Sequence, residues 1–245
     1  MPETQQAKAF SVSLLIPAFN EEQTLSPVLE DTFRFLSSRP FDWEVLALDD
    51  HSSDATPRVL QDLKNKYPEL QYFTSPQNRG VGSALTALME KARKEYCFFI
   101  PADGQVKAGE LDKFLPFLQE ADLLVGYRKH RADPQVRKFF SGVFNRLFSR
   151  IFKLKIHDAD SVFLVKKSLW RELAPRFTGA MLLGEMLVKS SKAGYTVKEV
   201  EISHYPRAAG AAKGLSWKMV SGALGEFYQL YREHNINGNK QRKEP

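Results

Sequence analysis

Short apolar runs alternate with stretches of helical period along most of the chain. Residues 11–16, 43–48, 70–74, 96–100, 121–126, 162–165 and 197–202 read as strands, each short and either continuously apolar or alternating. Residues 25–36, 57–66, 109–119, 168–173 and 180–193 take helical spacing between them, as does a segment that opens at 78–85 and runs to about residue 94. Strand and helix in turn predict an α/β protein with a parallel, doubly wound sheet. Ligands of such sheets bind beyond the carboxyl ends of the strands, so the residues that follow each strand carry the chemistry.

The run around which the rest is arranged is Tyr96-Cys97-Phe98-Phe99-Ile100, which passes straight into Pro101-Ala102-Asp103-Gly104-Gln105. Asp103 and Gln105 can hold a hard divalent cation, since Mg²⁺ takes one or two carboxylates together with substrate phosphates. Asp103 can equally do no more than shape the turn. After the first strand, Pro17-Ala18-Phe19-Asn20-Glu21-Glu22 offers polar groups that either cap the next helix or meet a nucleotide base and ribose. The second strand runs into Asp49-Asp50-His51-Ser52-Ser53-Asp54. Adjacent carboxylates repel unless a cation or donor lies between them. Asp49 and Asp50 therefore read as ligand groups, and Ser53 or Asp54 as the cap of the following helix. At Asn78-Arg79-Gly80-Val81-Gly82, glycines let backbone N–H groups approach a phosphate, although a turn wants glycine without any ligand.

Beyond Arg128 the character changes. Residues 137–152 read as an amphipathic helix, with Phe140, Val143, Phe144, Leu147, Phe148 and Ile151 on one face and Arg146, Arg150 and Lys153 opposite. No acid stands between Arg137 and Ile156. The helix is either a core element with a solvated basic face or an interfacial one, each cation adding on the order of 1 kcal/mol near an anionic leaflet. Residues 204–213 form a small-residue loop carrying Arg207 and Lys213, fit to close over a diphosphate or to serve as a plain linker. An amphipathic helix over 215–231 and a polar, frayed tail over 235–245 complete the pattern.

Composition narrows the partners. Of the 245 residues 43% are hydrophobic and 26% charged, ordinary values for a chain with a core. The net charge of +6 favours anionic partners. The cations gather after residue 128 among phenylalanines, which argues against nucleic acid and for phosphates or a membrane surface. One cysteine, Cys97, excludes an internal disulfide and points to a reducing compartment. Residues 1–9 are polar, unlike a signal peptide, and no run nears the roughly 18 apolar residues of a membrane span. The expectation is a cytoplasmic protein, peripheral on the inner face of a membrane.

Taken together, the segments Ile16 to Glu22, Leu48 to Thr56, Asn78 to Ala84, Ala102 to Gln105, Gly126-Tyr127-Arg128, Asp158 to Phe163, Glu185, and Arg207 with Gly210 and Lys213 resemble family 2 glycosyltransferases. The likeness covers about residues 11–215 and is strongest to the dolichol-phosphate mannosyltransferase-like branch, with its bacterial polyprenyl-phosphate enzymes. It implies a GT-A fold: a mostly parallel Rossmann-like sheet with a nucleotide half at 11–126 and an acceptor half at 127–214. Outside it, the residues themselves suggest a disordered 1–10 and a C-terminal amphipathic helix with a polar tail over 215–245. The resemblance implies inverting transfer from a nucleotide-diphosphate sugar, GDP-mannose or UDP-glucose in class, to polyprenyl phosphate, assisted by Mg²⁺ or Mn²⁺. It leaves room for a membrane-embedded partner subunit, and the alternative is a sugar hydroxyl or other soluble acceptor.

By the same resemblance Pro17, Ala18, Asn20, Glu22 and Asp50 line the nucleoside pocket, with Asp49, Asn78, Gly82 and Ala102 in the same nucleotide-sugar site. Asp103 and Gln105 hold the metal, Arg207 and Lys213 meet the diphosphate, and Arg128, Arg137 and Ser141 meet the acceptor phosphate. Asp103, Asp158 and Arg128 form the catalytic set, Asp158 orienting the sugar or acting as base. A phosphate acceptor is largely ionised already and hardly needs one. Three positions depart from the family pattern: Pro101 replaces the first acid of an Asp-x-Asp motif, Ser161-Val162-Phe163 stands for Ser-Gly-Phe, and Ala211-Ala212-Lys213 stands where an acid or serine is common.

Overall fold

The computed structural model describes residues 10–207 and 217–241. Seven strands form one sheet: β1 (Ser11–Ala18), β2 (Asp42–Asp49), β3 (Leu70–Thr74), β4 (Tyr96–Phe99), β5 (Leu123–Tyr127), β6 (Phe163–Lys166) and β7 (Val197–Glu201), in the order β3-β2-β1-β4-β6-β5-β7. The helices are α1 (Leu25–Ser37), α2 (Thr56–Lys66), α3 (Val81–Lys91), α4 (Gln135–Phe152), α5 (Lys167–Leu173), α6 (Leu182–Lys192) and α7 (Trp217–Gln241). β1 pairs in parallel with both β2 and β4, so the strand order reverses beside it and opens a crevice between the loops after β1 and β4.

The sheet is mostly parallel, as expected, with one strand reversed. β6 runs antiparallel to β4 and to β5, whereas β5 and β7 are parallel. The connection from β5 to β6 therefore begins and ends at the same edge of the sheet, and α4 is not needed as a crossover that covers it. Alternation along the strands sends Leu14 and Ile16 to a core shared with α1 and α2, and Leu15 to one shared with α3, α5 and α6. The helix expected over 109–119 is instead two short 3₁₀ turns, Ala108–Lys113 and Leu115–Phe117. Pro116 has no N–H with which to continue an α-helix.

The apolar stripe expected on α4 is rotated by about a quarter of a turn from the face that is buried. Phe148 and Phe152 enter the core, where they meet Phe227 of α7 at ring-centroid distances of 6.3 and 5.7 Å. Phe139, Phe140 and Leu147 are left 67%, 57% and 50% exposed. Arg146 and Arg150, expected on the opposite side, border a shallow concavity together with Phe139, Val143 and Leu147. Helix α7 continues to Gln241 where a frayed tail was expected from residue 235. Leu230 is buried, Arg176 pairs with Glu233 at 2.7 Å, and Lys192 donates to the carbonyls of Glu233 and His234, which hold this part of the helix to the body. The expectations for residues 1–9, for loop residues 208–213 including Gly210 and Lys213, and for 242–245 lie outside the described residues.

Gly82 is glycine for a packing reason. A Cβ there would stand 2.5 and 2.6 Å from the backbone carbon and oxygen of Thr178, and the N–H of Ser83 already donates to Thr178 O at 3.1 Å. The 178–179 backbone thus packs against the first turn of α3, which explains glycine at 82 without a ligand. Gly82→Ala is expected to lower stability by about 1–3 kcal/mol in urea unfolding, because backbone must move to admit the methyl.

Candidate active site

The loops after β1 and β2 are sewn together by the polar groups assigned to the nucleoside. Asn20, held at φ 51°, donates its N–H to Ser52 Oγ at 2.8 Å and accepts from Ser53 N at 2.8 Å. Glu22 accepts from Ala55 N at 2.8 Å, and Asp54 caps Thr56 N at 2.9 Å. Asp49 and Asp50 are buried, and their mutual repulsion is met by backbone donors. Ser52 N serves Asp49 at 3.1 Å; Arg79 N (3.1 Å) and Gly80 N (2.8 Å) serve Asp50. Asp50 therefore shapes the Asn78–Gly80 turn, while Asn78 and Arg79 stay exposed. Pro17 and Ala18 form the end of β1, Ala18 buried, beside this seam.

Across the crevice, the turn after β4 carries Ala102, Asp103 and Gln105. Gln105 N donates to Asp103 Oδ1 at 3.0 Å, and Tyr205 N donates back to Gln105 O at 2.9 Å. That second bond ties the segment after β7 to the turn and delivers Arg207. Its Nη2 binds both Glu21 oxygens at 2.6 Å, and its Nη1 lies 3.5 Å from Asp103 Oδ2. Burial pushes the Asp103 carboxyl above its ordinary pKa, opposed by the Gln105 N–H and the Arg207 charge. Asp103 and Arg207 thus share one site. Glu21, buried and facing Arg207, was treated only as part of a loop motif; nothing in its local spacing marks a partner so far along the chain.

The antiparallel course of β6 brings its N-terminal approach beside the exit of β5. Asp158, 3% exposed at its side chain, takes Arg128 in a two-pronged pair at 2.7 and 2.8 Å. Glu199 on β7 accepts the N–H groups of His157 (2.7 Å) and Asp158 (2.9 Å), which fixes that turn. Glu199 had only its solvated alternation to show. Ser141 and Arg137, expected at the acceptor phosphate, lie on the first turns of α4. Ser141 Oγ accepts from Arg131, and Arg137 lies 3.5 Å from Asp133. Arg128, Lys129, His130, Arg131 and Lys138 line one open cationic pocket. Arg131, Asp133 and Lys138 were missed because they lie between the recognised segments Gly126-Tyr127-Arg128 and Asp158 to Phe163, in a stretch with no motif of its own.

A crevice at the strand-order reversal, joined to a cation-lined second half, is the architecture of the GT-A glycosyltransferases. Glucosyl-3-phosphoglycerate synthase of Mycobacterium tuberculosis, solved with Mn²⁺, UDP and glucosyl-3-phosphoglycerate, superposes with a TM-score of 0.65 over 92% of this chain and 77% of its own, at 17% identity. TarS 1–349 of S. aureus with UDP-GlcNAc gives 0.63 over 93% and 66%, also at 17%. Residues 13–170 match the model for glycosyl transferase family 2, and the chain belongs to that family. The dodecaprenyl-phosphate galacturonate synthase of Rhizobium johnstonii is 30% identical over 216 residues, 84% of this chain and 62% of that protein. A dolichyl-phosphate beta-glucosyltransferase of Trichomonas vaginalis, ALG5C, is 29% identical over 129 residues, 48% of this chain and 38% of that protein. This chain spans only those parts of the two enzymes' lengths. An uncharacterized glycosyltransferase of Mycobacterium tuberculosis matches at 29% over 87% of this chain and 91% of its own length.

His204 stands behind the cationic pocket and accepts Ala132 N at Nδ1, 3.1 Å. Burial, then the Arg128 charge, lowers its pKa from 6.5 to about 4. Between those values the unfolded chain binds a proton that the folded one refuses, so stability falls as pH drops through the window. Urea unfolding at successive pH values checks this: His204→Gln is expected to flatten the profile between about pH 6.5 and 4.

Proposed function

We propose that this protein transfers a sugar, with inversion, from a nucleotide-diphosphate sugar to a polyprenyl phosphate at a membrane face. The observation that carries the reading is Lys138. It borders both the cationic pocket and the concavity of exposed apolar side chains on α4, so a phosphate and a hydrocarbon chain attached to it find adjoining surfaces. Cations interleaved with exposed phenylalanines suit an anionic leaflet. Among the described residues no helix is long and apolar enough to cross a membrane. The solved relatives carrying UDP or UDP-GlcNAc favour a uridine nucleotide over GDP-mannose as donor.

Asp103 and Gln105 offer one carboxylate and one amide oxygen on a single turn. Among the described residues no group of three His, Cys, Asp or Glu could hold an ion unaided. A Mg²⁺ or Mn²⁺ fits there as a shared ion, held jointly with the donor diphosphate. It would neutralise charge on the departing nucleotide. Arg207 is poised on the same carboxylate, and a guanidinium donates to phosphate oxygens in the same forked geometry in which it donates to a carboxylate. Arg128, its charge balanced by Asp158, presents a fixed guanidinium at the cationic pocket. Asp158 is committed to that pair, which suits an acceptor that arrives ionised and needs no base.

Asp103→Asn is expected to cut transfer to farnesyl phosphate at least about 100-fold, near 2.7 kcal/mol of barrier, with a melting temperature close to wild type. Turnover would be followed with UDP-glucose, UDP-galacturonate and GDP-mannose in parallel; near-normal rates in the variant would remove Asp103 from the mechanism. Co-sedimentation checks the membrane face. Wild type should bind phosphatidylglycerol vesicles over phosphatidylcholine ones, and Phe139→Ser with Leu147→Ser should weaken that binding about tenfold. Protein that stays in the supernatant with both vesicles points instead to a soluble acceptor.

A further inference from the structure

The family pattern draws an acceptor phosphate to Arg128, Arg137 and Ser141, yet the cation that reaches Ser141 is Arg131. Its Nη1 donates to Ser141 Oγ at 2.5 Å and its Nε to Asp133 Oδ2 at 2.8 Å. The two charged side chains are 13% and 3% exposed. Charges taken so far from water are costly unless paired. Asp133 is also shared, its other oxygen lying 3.5 Å from Arg137 Nη1. Burial acts to raise its pKa, but the hydrogen bond and charge of Arg131, with Arg137 behind them, hold the carboxyl below its ordinary range.

Charge and hydrogen-bond capacity both come out in favour of an anion here. Arg128 is balanced by Asp158, while one carboxylate, Asp133, serves two guanidiniums and leaves a net positive charge. Ser141 Oγ accepts from Arg131 and, at 3.5 Å, from Asn145 Nδ2. Neither of those nitrogens can accept, so the serine proton is left for a further acceptor. Asn145 is itself fixed by Ala159 N, which donates to its Oδ1 at 3.1 Å, so the serine is presented from a rigid site. Arg131 lines the pocket with Arg128, Lys129, His130 and Lys138.

We propose that Arg131 is a phosphate-binding residue of the acceptor site, that Asp133 positions its guanidinium, and that the group they receive is a phosphate monoester. The inference rests on the reading of this pocket as the acceptor site and goes beyond it in assigning the phosphate to Arg131 and the positioning of that arginine to Asp133. Arg131 presents a planar fork with Ser141 at its tip, and Asp133 sets the plane of that fork. A lysine at 131 would keep the charge and lose the two-point geometry. The phosphate can belong to a lipid or to a small soluble molecule.

The test measures binding of farnesyl phosphate, of glycerol 3-phosphate and of farnesol to the full chain, with UDP affinity and melting temperature as controls. Arg131→Lys is expected to weaken binding of the favoured phosphate at least tenfold, leaving UDP affinity and melting temperature near wild type. Asp133→Asn should raise the acceptor KM about fivefold or more with donor KM and kcat at saturating acceptor little changed, a split that a purely structural carboxylate does not produce. If wild type binds farnesyl phosphate and Arg131→Lys binds it within twofold, the inference falls and the lipid-acceptor reading survives. If wild type takes glycerol 3-phosphate but not farnesyl phosphate, and Arg131→Lys loses it, the inference stands and the lipid reading falls. Binding of neither phosphate by the wild type overturns both.

Discussion

The site depends on one strand running against its neighbours. In a wholly parallel sheet the residues preceding a strand lie at the edge opposite the crevice, and Asp158 would be out of reach of Arg128. Because β6 is antiparallel to β4 and β5, its approach lies beside the exits of β5 and β7. Arg128 then finds a buried carboxylate, and Glu199 finds the two N–H groups of the turn that presents it. The same reversal spares α4 from crossing the sheet and leaves half of its apolar stripe unpartnered.

The buried or half-buried carboxylates do two different jobs. Several bind backbone: at strand exits Asp50 shapes the turn before α3 and Glu22 reaches the start of α2, and on helices Glu226 of α7 holds Gly179 N and Met181 N while Glu185 of α6 holds Arg176 N and Phe177 N. Buried N–H groups at loops need such partners, and a charged acceptor makes the stronger bond. Asp103 differs. It has a single backbone donor from Gln105 and an arginine at 3.5 Å, and burial keeps its carboxyl reluctant to ionise. A cation beside it would reverse that cost, which is the physical sense of placing it at the crevice.

On the other half, two arginine pairs make different use of one motif. Asp158 is held to a single arginine, whereas Asp133 is divided between two and leaves charge over. A pocket with surplus positive charge next to a greasy helix face is suited to a ligand that is anionic at one end and apolar at the other. The family relation is the ground for proposing glycosyl transfer; the surface of α4 is the ground for proposing where the acceptor binds.

Much of the plan was legible from the chain. Local apolar period located every strand to within a few residues, and the polar clusters after β1, β2 and β4 were recognisable because strand exits in such sheets carry chemistry. Periodicity reports which residues share a face but not which face finds a partner, so the rotation of α4 and the burial of Phe148 and Phe152 beside Phe227 emerged only on folding. Strand direction was equally hidden, since a short apolar run reads the same both ways. Partners distant along the chain, Glu21 with Arg207 or Glu199 with the Asp158 turn, leave no local trace. The amino-acid sequence by itself determined the elements and the chemical groups at their ends. The tertiary structure decided which of those groups meet, because burial forces each charge to take whatever partner the packing brings within reach.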